Sequence, residues 1–188
     1  MRVISGLYRG RVLKTVADLS VRPATDRVRQ TVFDMLTNRI EFDGSRVLDL
    51  FAGSGSLGIE ALSRGAAHAT FVEHAQEAAA FIELNLRTLG CTDSSLVLET
   101  DAMSFIRPGA GAFDIIFADP PYGFGRTAEI PAAVSSSGML RAGGYLLIEH
   151  AAGMSLEAAE GLRAGPVKRF GRTHVTFFTP TNGRNDPQ

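Results

Sequence analysis

The sequence contains one cysteine, no tryptophan and no long apolar run. The lone Cys91 excludes an internal disulfide and a metal site built from several cysteines, as expected in a reducing cytosol. Apolar stretches such as 145–148 fall far short of the roughly 20 residues that span a bilayer. The first residues also lack the apolar run and cleavage site of a secretory signal. These absences predict a cytoplasmic protein with no membrane segment and no metal site.

The net charge of −1 conceals an uneven distribution of charge along the 188 residues. Residues 1–30 contain seven basic and two acidic side chains and therefore carry +5, which leaves −6 on the remainder. A second basic cluster near the C-terminus consists of Arg163, Lys168, Arg169 and Arg172. Such segregation is typical of an enzyme with a face that binds a polyanion. An ordinary solvated surface gives the same pattern, so charge alone leaves both interpretations open.

Hydrophobic periodicity predicts an α/β fold. Strands are predicted at 46–50, 69–73, 96–100, 113–118 and 144–149, and helices at 56–64, 75–89, near Met103 and at 127–136. This alternation indicates a doubly wound, mostly parallel sheet of the Rossmann-like kind. Two further extended runs, 167–172 and 174–179, predict an antiparallel hairpin at the edge of a seven-stranded sheet.

The N-terminal part of the chain has a different pattern. Residues 2–15 alternate apolar and polar positions around Gly6 and Gly10, which predicts a short β-hairpin. Thr25 is a suitable N-cap for the next helix, because Asp26 suits its positive end and apolar residues then recur at helical spacing. We therefore divide the chain into a basic hairpin extension at 1–24, the main domain at 25–180 and a disordered tail at 181–188.

A glycine-rich loop follows the first predicted strand of the sheet. Its Gly53, Gly55 and Gly58 match G-x-G-x-x-G, and Glu73 follows Gly53 by 20 residues, as in dinucleotide-binding proteins. Asp49, at the end of that strand, favours a different cofactor. A carboxylate would repel the pyrophosphate of a dinucleotide, whereas S-adenosylmethionine presents an ammonium and a sulfonium to it. Both cofactors fit the glycines, and Asp49 favours S-adenosylmethionine.

A second loop, Asp119-Pro120-Pro121-Tyr122, follows the fourth predicted strand. The two prolines lack N–H donors, so they end the strand and give a rigid loop at the edge of the sheet that carries the glycines. The Asp119 side chain and the Pro120 carbonyl can each accept one N–H of an aromatic amine, which orients it for attack. The Tyr122 ring can stack on the base and face the methyl group. The loop therefore predicts methylation of an exocyclic amine, although Asp-Pro also occurs in ordinary turns.

Both loops resemble motifs of known methyltransferases. Asp49, Phe51, Gly53 and Gly55 resemble the D-x-F-x-G-x-G motif of class I S-adenosylmethionine-dependent methyltransferases. That resemblance implies that Glu73 binds the ribose and Asp101 the adenine amino group; Asp101 could instead only cap the next helix. The predicted cofactor-binding residues are Asp49, Phe51, Ala52, Gly53, Gly55, Glu73, His74, Asp101 and Ala102. The second loop resembles the [DN]-P-P-[YF] motif of enzymes that methylate adenine N6, cytosine N4, guanine N2 or a glutamine amide.

Three segments, 4–11, 22–33 and 49–62, resemble the bacterial RsmD family, and the similarity extends over about 2–179. The R-P-x-x-D-R-V-R run that begins at residue 22 is the most specific of these signals. The resemblance implies methylation of guanine N2 in 16S rRNA, with the rRNA or the small ribosomal subunit as partner. It also implies RNA contacts from the hairpin extension and from Arg9, Arg11, Arg22, Thr25, Arg27 and Arg29. Alternatively, Arg27 and Arg29 form ion pairs on the helix surface.

Three other functions are consistent with part of the pattern. The first is N-methylation of another amine, such as adenine N6 or a protein glutamine, although 188 residues leave little room for a DNA-recognition domain. The second is a non-catalytic RNA-binding module, which the intact Asp49, Asp119 and Tyr122 argue against. The third is an NAD-dependent oxidoreductase. One compact domain is expected to be a monomer.

Overall fold

Strands and helices alternate along most of the chain, as the sequence predicts. The computed structural model describes residues 1–15 and 23–181, with side chains from residue 26 onward in the second range. The strands are β1 Arg46–Leu50, β2 His68–Glu73, β3 Ser95–Glu99, β4 Phe113–Ala118, β5 Leu140–Ala151, β6 Leu162–Phe170 and β7 Thr173–Pro180. The helices are α1 Pro23–Thr37, α2 Ser56–Ser63, α3 Gln76–Leu89, α4 Ala102–Phe105 and α5 Ile130–Ser137, with 3₁₀ turns at Thr92–Ser94 and Thr127–Glu129.

The seven strands form one sheet in the order β3-β2-β1-β4-β5-β7-β6. Strands β1 to β5 are parallel to one another, and β7 is antiparallel to both β5 and β6. This confirms the predicted mostly parallel sheet with an antiparallel C-terminal hairpin. The chain reverses its direction across the sheet between β1 and β4, where open α/β sheets bind ligands at the carboxyl ends of the strands.

Helices cover both faces of the sheet and enclose two apolar cores. Phe33 of α1, Ile59 of α2 and Ile82 of α3 belong to one core, together with Phe117 of the sheet. The other core lies beneath α4 and α5 and includes Val134 and further strand residues. Because successive strand residues point to opposite faces, a central strand must be apolar at nearly every position, as β4 is.

Several elements differ from their predicted bounds; β5, for example, begins at Leu140, four residues earlier than predicted. Helix α1 begins at Pro23 rather than after Thr25, because the first turn of a helix tolerates a residue without an N–H. The predicted helix at 127–136 divides into a 3₁₀ turn and α5, which has Pro131 in its first turn. Strand β6 begins at Leu162, five residues earlier than predicted. It accommodates Pro166 through a register shift between Ala164 and Val167, as an edge strand can.

The N-terminal segment 1–15 folds back on itself and lies against α2 and α3. Arg2 and Val12 form an antiparallel bridge. The buried Glu60 carboxylate of α2 accepts hydrogen bonds from the Ile4 and Ser5 amides at 2.7 and 3.0 Å. Further along the segment, the Asn85 side chain of α3 pairs with both backbone groups of Lys14 at 2.8 and 2.9 Å. Buried polar side chains therefore fix the segment along its length.

Among the described residues, no helix has the length and apolar character needed to cross a membrane.

Candidate active site

A cleft of about 1090 Å³ opens at the carboxyl ends of β1, β4 and β5. Its walls contain the glycine loop after β1, the loop after β4 and the turn between β6 and β7. The predicted site residues on these walls are Asp49, Phe51, Ala52, Gly53, Glu73, His74, Asp119, Pro120, Pro121 and Tyr122. The two loops that the sequence predicts therefore belong to one cavity.

Asp49 fixes the start of α2 from beneath the glycine loop. Its Oδ2 accepts a hydrogen bond of 2.9 Å from the Gly58 amide, and the side chain is fully buried. A Cβ at Gly58 would lie 2.3 Å from the Phe71 ring, so only glycine allows this close packing of helix on sheet. Gly55 precedes the helix with a φ of 74° and lets the chain turn from strand to helix.

Glu73, at the end of β2, holds the glycine loop from the other side. One carboxylate oxygen accepts from the Gly53 amide at 2.8 Å and the other from the Ala75 amide at 2.8 Å. The His74 Nδ1 also lies 3.1 Å from this carboxylate. The Oε2 atom, which accepts only from the Gly53 amide, keeps a second lone pair, so Glu73 can still accept a hydrogen bond from a ligand in the cleft.

Two of the predicted cofactor-binding residues, Asp101 and Ala102 at the start of α4, are not among the residues that line the cleft. Asp101 caps this helix: its Oδ1 accepts from the Ser104 amide and hydroxyl, each at 2.8 Å. These hydrogen bonds lower the pKa of Asp101. Ala102, the first residue of α4, is buried. In the structure, Asp101 therefore acts as a helix cap. A contact between Asp101 and adenine stays a prediction.

Hydrogen bonds join the loop after β4 to two other parts of the cleft, strand β1 and the turn between β6 and β7. The Asp119 amide lies 3.4 Å from the Leu50 carbonyl of β1. The Tyr122 hydroxyl forms a hydrogen bond with the Thr173 hydroxyl at the turn between β6 and β7. The Tyr122 side chain is 59% exposed, so its ring is available to a ligand in the cleft.

Three carboxyl groups with raised pKa values meet in the cleft. Burial raises the pKa of Asp49 well above its usual range, and the neighbouring acids add to the effect. Burial also raises the pKa of Asp119 to about 6. Burial and the charge of Asp119 together raise the pKa of Glu149, at the end of β5, to about 8. A cation bound among these groups would stabilise their ionised forms, so the cleft favours a positively charged ligand.

Sequence reasoning missed several residues of the cleft. Glu149 is the last residue of a predicted strand and could have been found by the rule that identified Asp49 and Asp119. Phe170, Arg172 and Thr173 reach the cleft only because β7 lies next to β5 in the sheet. No local pattern predicts that neighbour, so these residues had no signal of their own.

The predicted RNA-binding arginines lie in different environments. Arg27 is exposed near the cleft, beside Val28 of its wall. Arg29 is 4% exposed and donates to the Arg2 carbonyl and to Asp26, so it holds the N-terminal segment on α1. Arg22 and the Thr25 side chain lie outside the described residues.

Arg9 and Arg11 are exposed, but they lie far from the cleft. The tip of the segment 1–15 contacts Ser63, which ends α2. Since α2 starts at the cleft and runs back along the sheet, its last residue lies at the opposite edge. Conversely, β6 ends and β7 begins at the cleft, which places Arg169 and Arg172 at its rim.

Comparisons with known proteins agree with this architecture. The family model described as conserved hypothetical protein 95 matches residues 1–179. YlbH of Bacillus subtilis (strain 168) is 42% identical over 182 residues, which cover 95% of this chain and 98% of YlbH. Ribosomal RNA small subunit methyltransferase D of Escherichia coli (strain K12) is 38% identical over 149 residues, covering 79% of this chain and 74% of the relative. The solved structure of yhhF from Escherichia coli matches with a TM-score of 0.84 at 32% identity, covering 96% and 97% of the two chains.

The fold and the paired loops define a Rossmann-like methyltransferase. The chain belongs to the family that the model describes, and its curated relatives confirm the resemblance to the RsmD family.

Proposed function

We propose that this protein transfers the methyl group of S-adenosylmethionine to the exocyclic N2 amine of a guanine in 16S rRNA. The observation that carries the proposal is the joint location of two loops in one cleft. Asp49 and the glycine loop line one part of the cleft, and Asp119 to Tyr122 line another. A methyl donor and an amine acceptor bound to these loops would share the same cavity.

The donor groups of the cleft fit S-adenosylmethionine better than a dinucleotide. Asp49, Asp119 and Glu149 line the cavity and have raised pKa values, and a pyrophosphate beside them would disfavour their ionised forms further. The same groups suit an ammonium and a sulfonium. We assign the methionine end to the neighbourhood of Asp49 and the ribose hydroxyls to Glu73. The cofactor supplies an electrophilic methyl group, and its C–S bond breaks as the new N–C bond forms.

Asp119 and Pro120 act on the amine of the acceptor base. The lone pair of that nitrogen is delocalised into the ring, so the amine is a poor nucleophile. The Asp119 carboxylate and the Pro120 carbonyl each accept one N–H, which aligns the lone pair and stabilises the positive charge that develops on nitrogen. Asp119, with a pKa of about 6, takes the proton that the methylated amine loses. The exposed Tyr122 ring stacks on the base.

The choice of ribosomal RNA is supported by the relatives and by the basic surface. The Escherichia coli relative is named as a methyltransferase of small-subunit ribosomal RNA. Arg172 lines the cleft, and Arg27 and Arg169 stand next in the chain to the lining residues Val28 and Phe170. All three arginines are exposed and can contact phosphates of the RNA backbone. The resemblance to the RsmD family selects guanine N2 among the amines that this loop can methylate.

Methyl transfer to rRNA tests the proposal directly. The purified protein, tritium-labelled S-adenosylmethionine and small ribosomal subunits or 16S rRNA from a strain lacking the activity should yield labelled N2-methylguanosine. Nuclease digestion and chromatography of the nucleosides identify the product. Label in N6-methyladenosine or in protein would refute the assignment. Calorimetry should also show binding of S-adenosylmethionine and none of NAD.

RNA binding should depend on the arginines at the rim of the cleft. The double variant Arg27→Gln with Arg172→Gln removes two charges there. The slope of log K against log salt should become shallower by about 1.4 to 1.8, because about 0.7 to 0.9 per contact is expected for released counterions. Filter binding of 16S rRNA at several salt concentrations measures that slope.

A matched control removes two charges from the opposite edge of the sheet. Arg46 and Arg141 lie at the start of β1 and β5; the Arg46 backbone amide and the Arg141 guanidinium both donate to Asp114. Arg46→Gln with Arg141→Gln should leave the slope unchanged within error. Equal slopes for the two double variants would show that the rim of the cleft does not belong to the RNA-binding surface.

A further inference from the structure

Glu149 lies beside Asp119 at the end of the neighbouring strand, and the proposed methyl transfer does not use it. The parallel register of β4 and β5 ends at the pair Ala118 and Ile148. Asp119 and Glu149 occupy the next positions, so their side chains project from the same face of the sheet. Both line the cleft together with Pro120. A base whose amine contacts Asp119 therefore presents another part of its edge to Glu149.

The Glu149 carboxylate is available to such a base. Within residues 1–15 and 23–181, no hydrogen bond or ion pair engages it. Its partner on β7 is the uncharged Val175. The charged groups that face it are Asp119 and, across a cavity of about 40 Å³, Arg29 of α1. Among the described residues, only the Nη2 of Arg29 has hydrogen-bond partners, Asp26 and the Arg2 carbonyl, and no hydrogen bond or ion pair joins Arg29 to Glu149. Glu149 therefore keeps its lone pairs for a ligand.

Guanine offers a donor next to the amine that is methylated. The ring atom N1, adjacent to the carbon that carries N2, bears a hydrogen in guanine. Purines with an adenine-like edge have a lone pair at N1 instead. We infer that Glu149 accepts a hydrogen bond from guanine N1–H and thereby selects guanine over purines with an acceptor at N1. This inference rests on the proposed activity toward guanine N2.

The charge of Glu149 determines how strictly it selects. A carboxylate can only accept, whereas a protonated acid can also donate to a lone pair on N1. Burial and Asp119 raise the pKa of Glu149 to about 8 in the free protein. A cationic cofactor and the N1–H donor both lower that pKa, because each stabilises the ionised form. Assays at pH 8.5 therefore compare enzymes in which Glu149 is ionised.

The test compares two substrates that share the N2 amine. Once the methylated guanine is mapped, ligation gives 16S rRNA with either guanine or 2,6-diaminopurine at that position. The diaminopurine keeps N2 but has an acceptor at N1. Wild-type protein should methylate the diaminopurine RNA at least about 30-fold more slowly, as expected when a hydrogen bond to a charged group is lost.

Two substitutions at Glu149 have different expected effects. Glu149→Ala should lower kcat/KM for the guanine RNA by about 30-fold or more, with the diaminopurine RNA within about threefold of its wild-type value. The amide of Glu149→Gln has both an acceptor oxygen and a donor NH₂ group. It can therefore accept from N1–H of guanine or donate to the N1 lone pair of diaminopurine. This variant should keep guanine activity within about fivefold and raise diaminopurine methylation by about tenfold or more. A gain on the second substrate cannot arise from poor folding.

Glu99→Gln is the matched control. Glu99 is an exposed glutamate at the end of β3, away from the walls of the cleft. This variant should methylate both RNAs as the wild type does, and all variants should bind S-adenosylmethionine within a few fold. Loss of activity on both RNAs in the same proportion by the Glu149 variants would overturn the inference, as would equal wild-type rates on the two RNAs.

The two proposals fail in different ways. If wild-type protein methylates guanine N2 but Glu149→Gln does not change the preference between the two RNAs, the proposed function stands and the role of Glu149 is wrong. If wild-type protein transfers no methyl group to guanine, both are wrong.

Discussion

Asp119→Ala should lower methyl transfer to 16S rRNA by about three orders of magnitude, while affinity for S-adenosylmethionine changes by no more than about fivefold. The substitution removes the group that accepts an N–H of the amine and takes up its proton. The cofactor keeps its contacts with the glycine loop, because the carboxylates of Asp49 and Glu73 hold that loop independently of Asp119. Single-turnover transfer of tritiated methyl groups measures the first quantity, and calorimetry measures the second.

Two further variants make this result specific. Asp119→Asn keeps an acceptor oxygen at the same position, and the methylated amine is acidic enough to lose its proton to water, so this variant should retain activity within about tenfold of the wild type. Asp93→Ala makes the same truncation at an exposed aspartate in a 3₁₀ turn and should have no effect. A parallel loss of cofactor affinity and activity in Asp119→Ala would show that Asp119 holds the cofactor rather than the amine.

Gly6→Ala should destabilise the protein more than any other single methyl group added to its N-terminal segment. A Cβ at Gly6 would lie 1.8 Å from the Ser63 carbonyl oxygen, and its φ of 79° is unfavourable for alanine. The added methyl would separate the segment from α2 and break the 2.7 Å hydrogen bond between the Leu7 amide and that oxygen. We expect a loss of about 3 kcal/mol in the free energy of unfolding, or roughly 6–12 °C in Tm.

Gly10→Ala provides the control within the same segment. Gly10 has a nearly identical φ of 81°, but a Cβ there meets nothing within 4 Å. Its substitution should cost only the conformational strain, about 1 kcal/mol or roughly 2–4 °C. Thermal unfolding followed by circular dichroism distinguishes the two. Equal Tm values for both variants would show that the contact with α2 contributes nothing to stability.

The parts of the site that are local in sequence could be predicted from it. Asp49 lies at the end of one apolar strand and Asp119 directly follows another. Parallel strands end at a common edge of the sheet, so the meeting of the two residues follows from the fold class. Glu149 satisfies the same rule and was missed because the residues after it match no known motif. Periodicity likewise gave β4 its observed bounds, since a central strand is apolar throughout.

The parts that depend on distant neighbours could not be predicted. Arg29 lies in a run of basic residues, but α1 packs it beneath the N-terminal segment, where its partners are Asp26 and a carbonyl of Arg2. Arg9 belongs to the same basic region of the sequence and ends at the opposite edge of the sheet from the cleft. Charge density along a chain does not reveal which face each side chain occupies after folding.

The position of β7 has a consequence for synthesis of the protein. This strand is the last one within the described residues, yet it lies between β5 and β6, and Thr173 at its start contacts the loop after β4. A nascent polypeptide can assemble β1 to β5 early, but β6 has no partner in the sheet until β7 emerges. The cavity therefore closes only after translation of residue 180, and an incomplete chain still attached to the translating ribosome has no finished catalytic pocket.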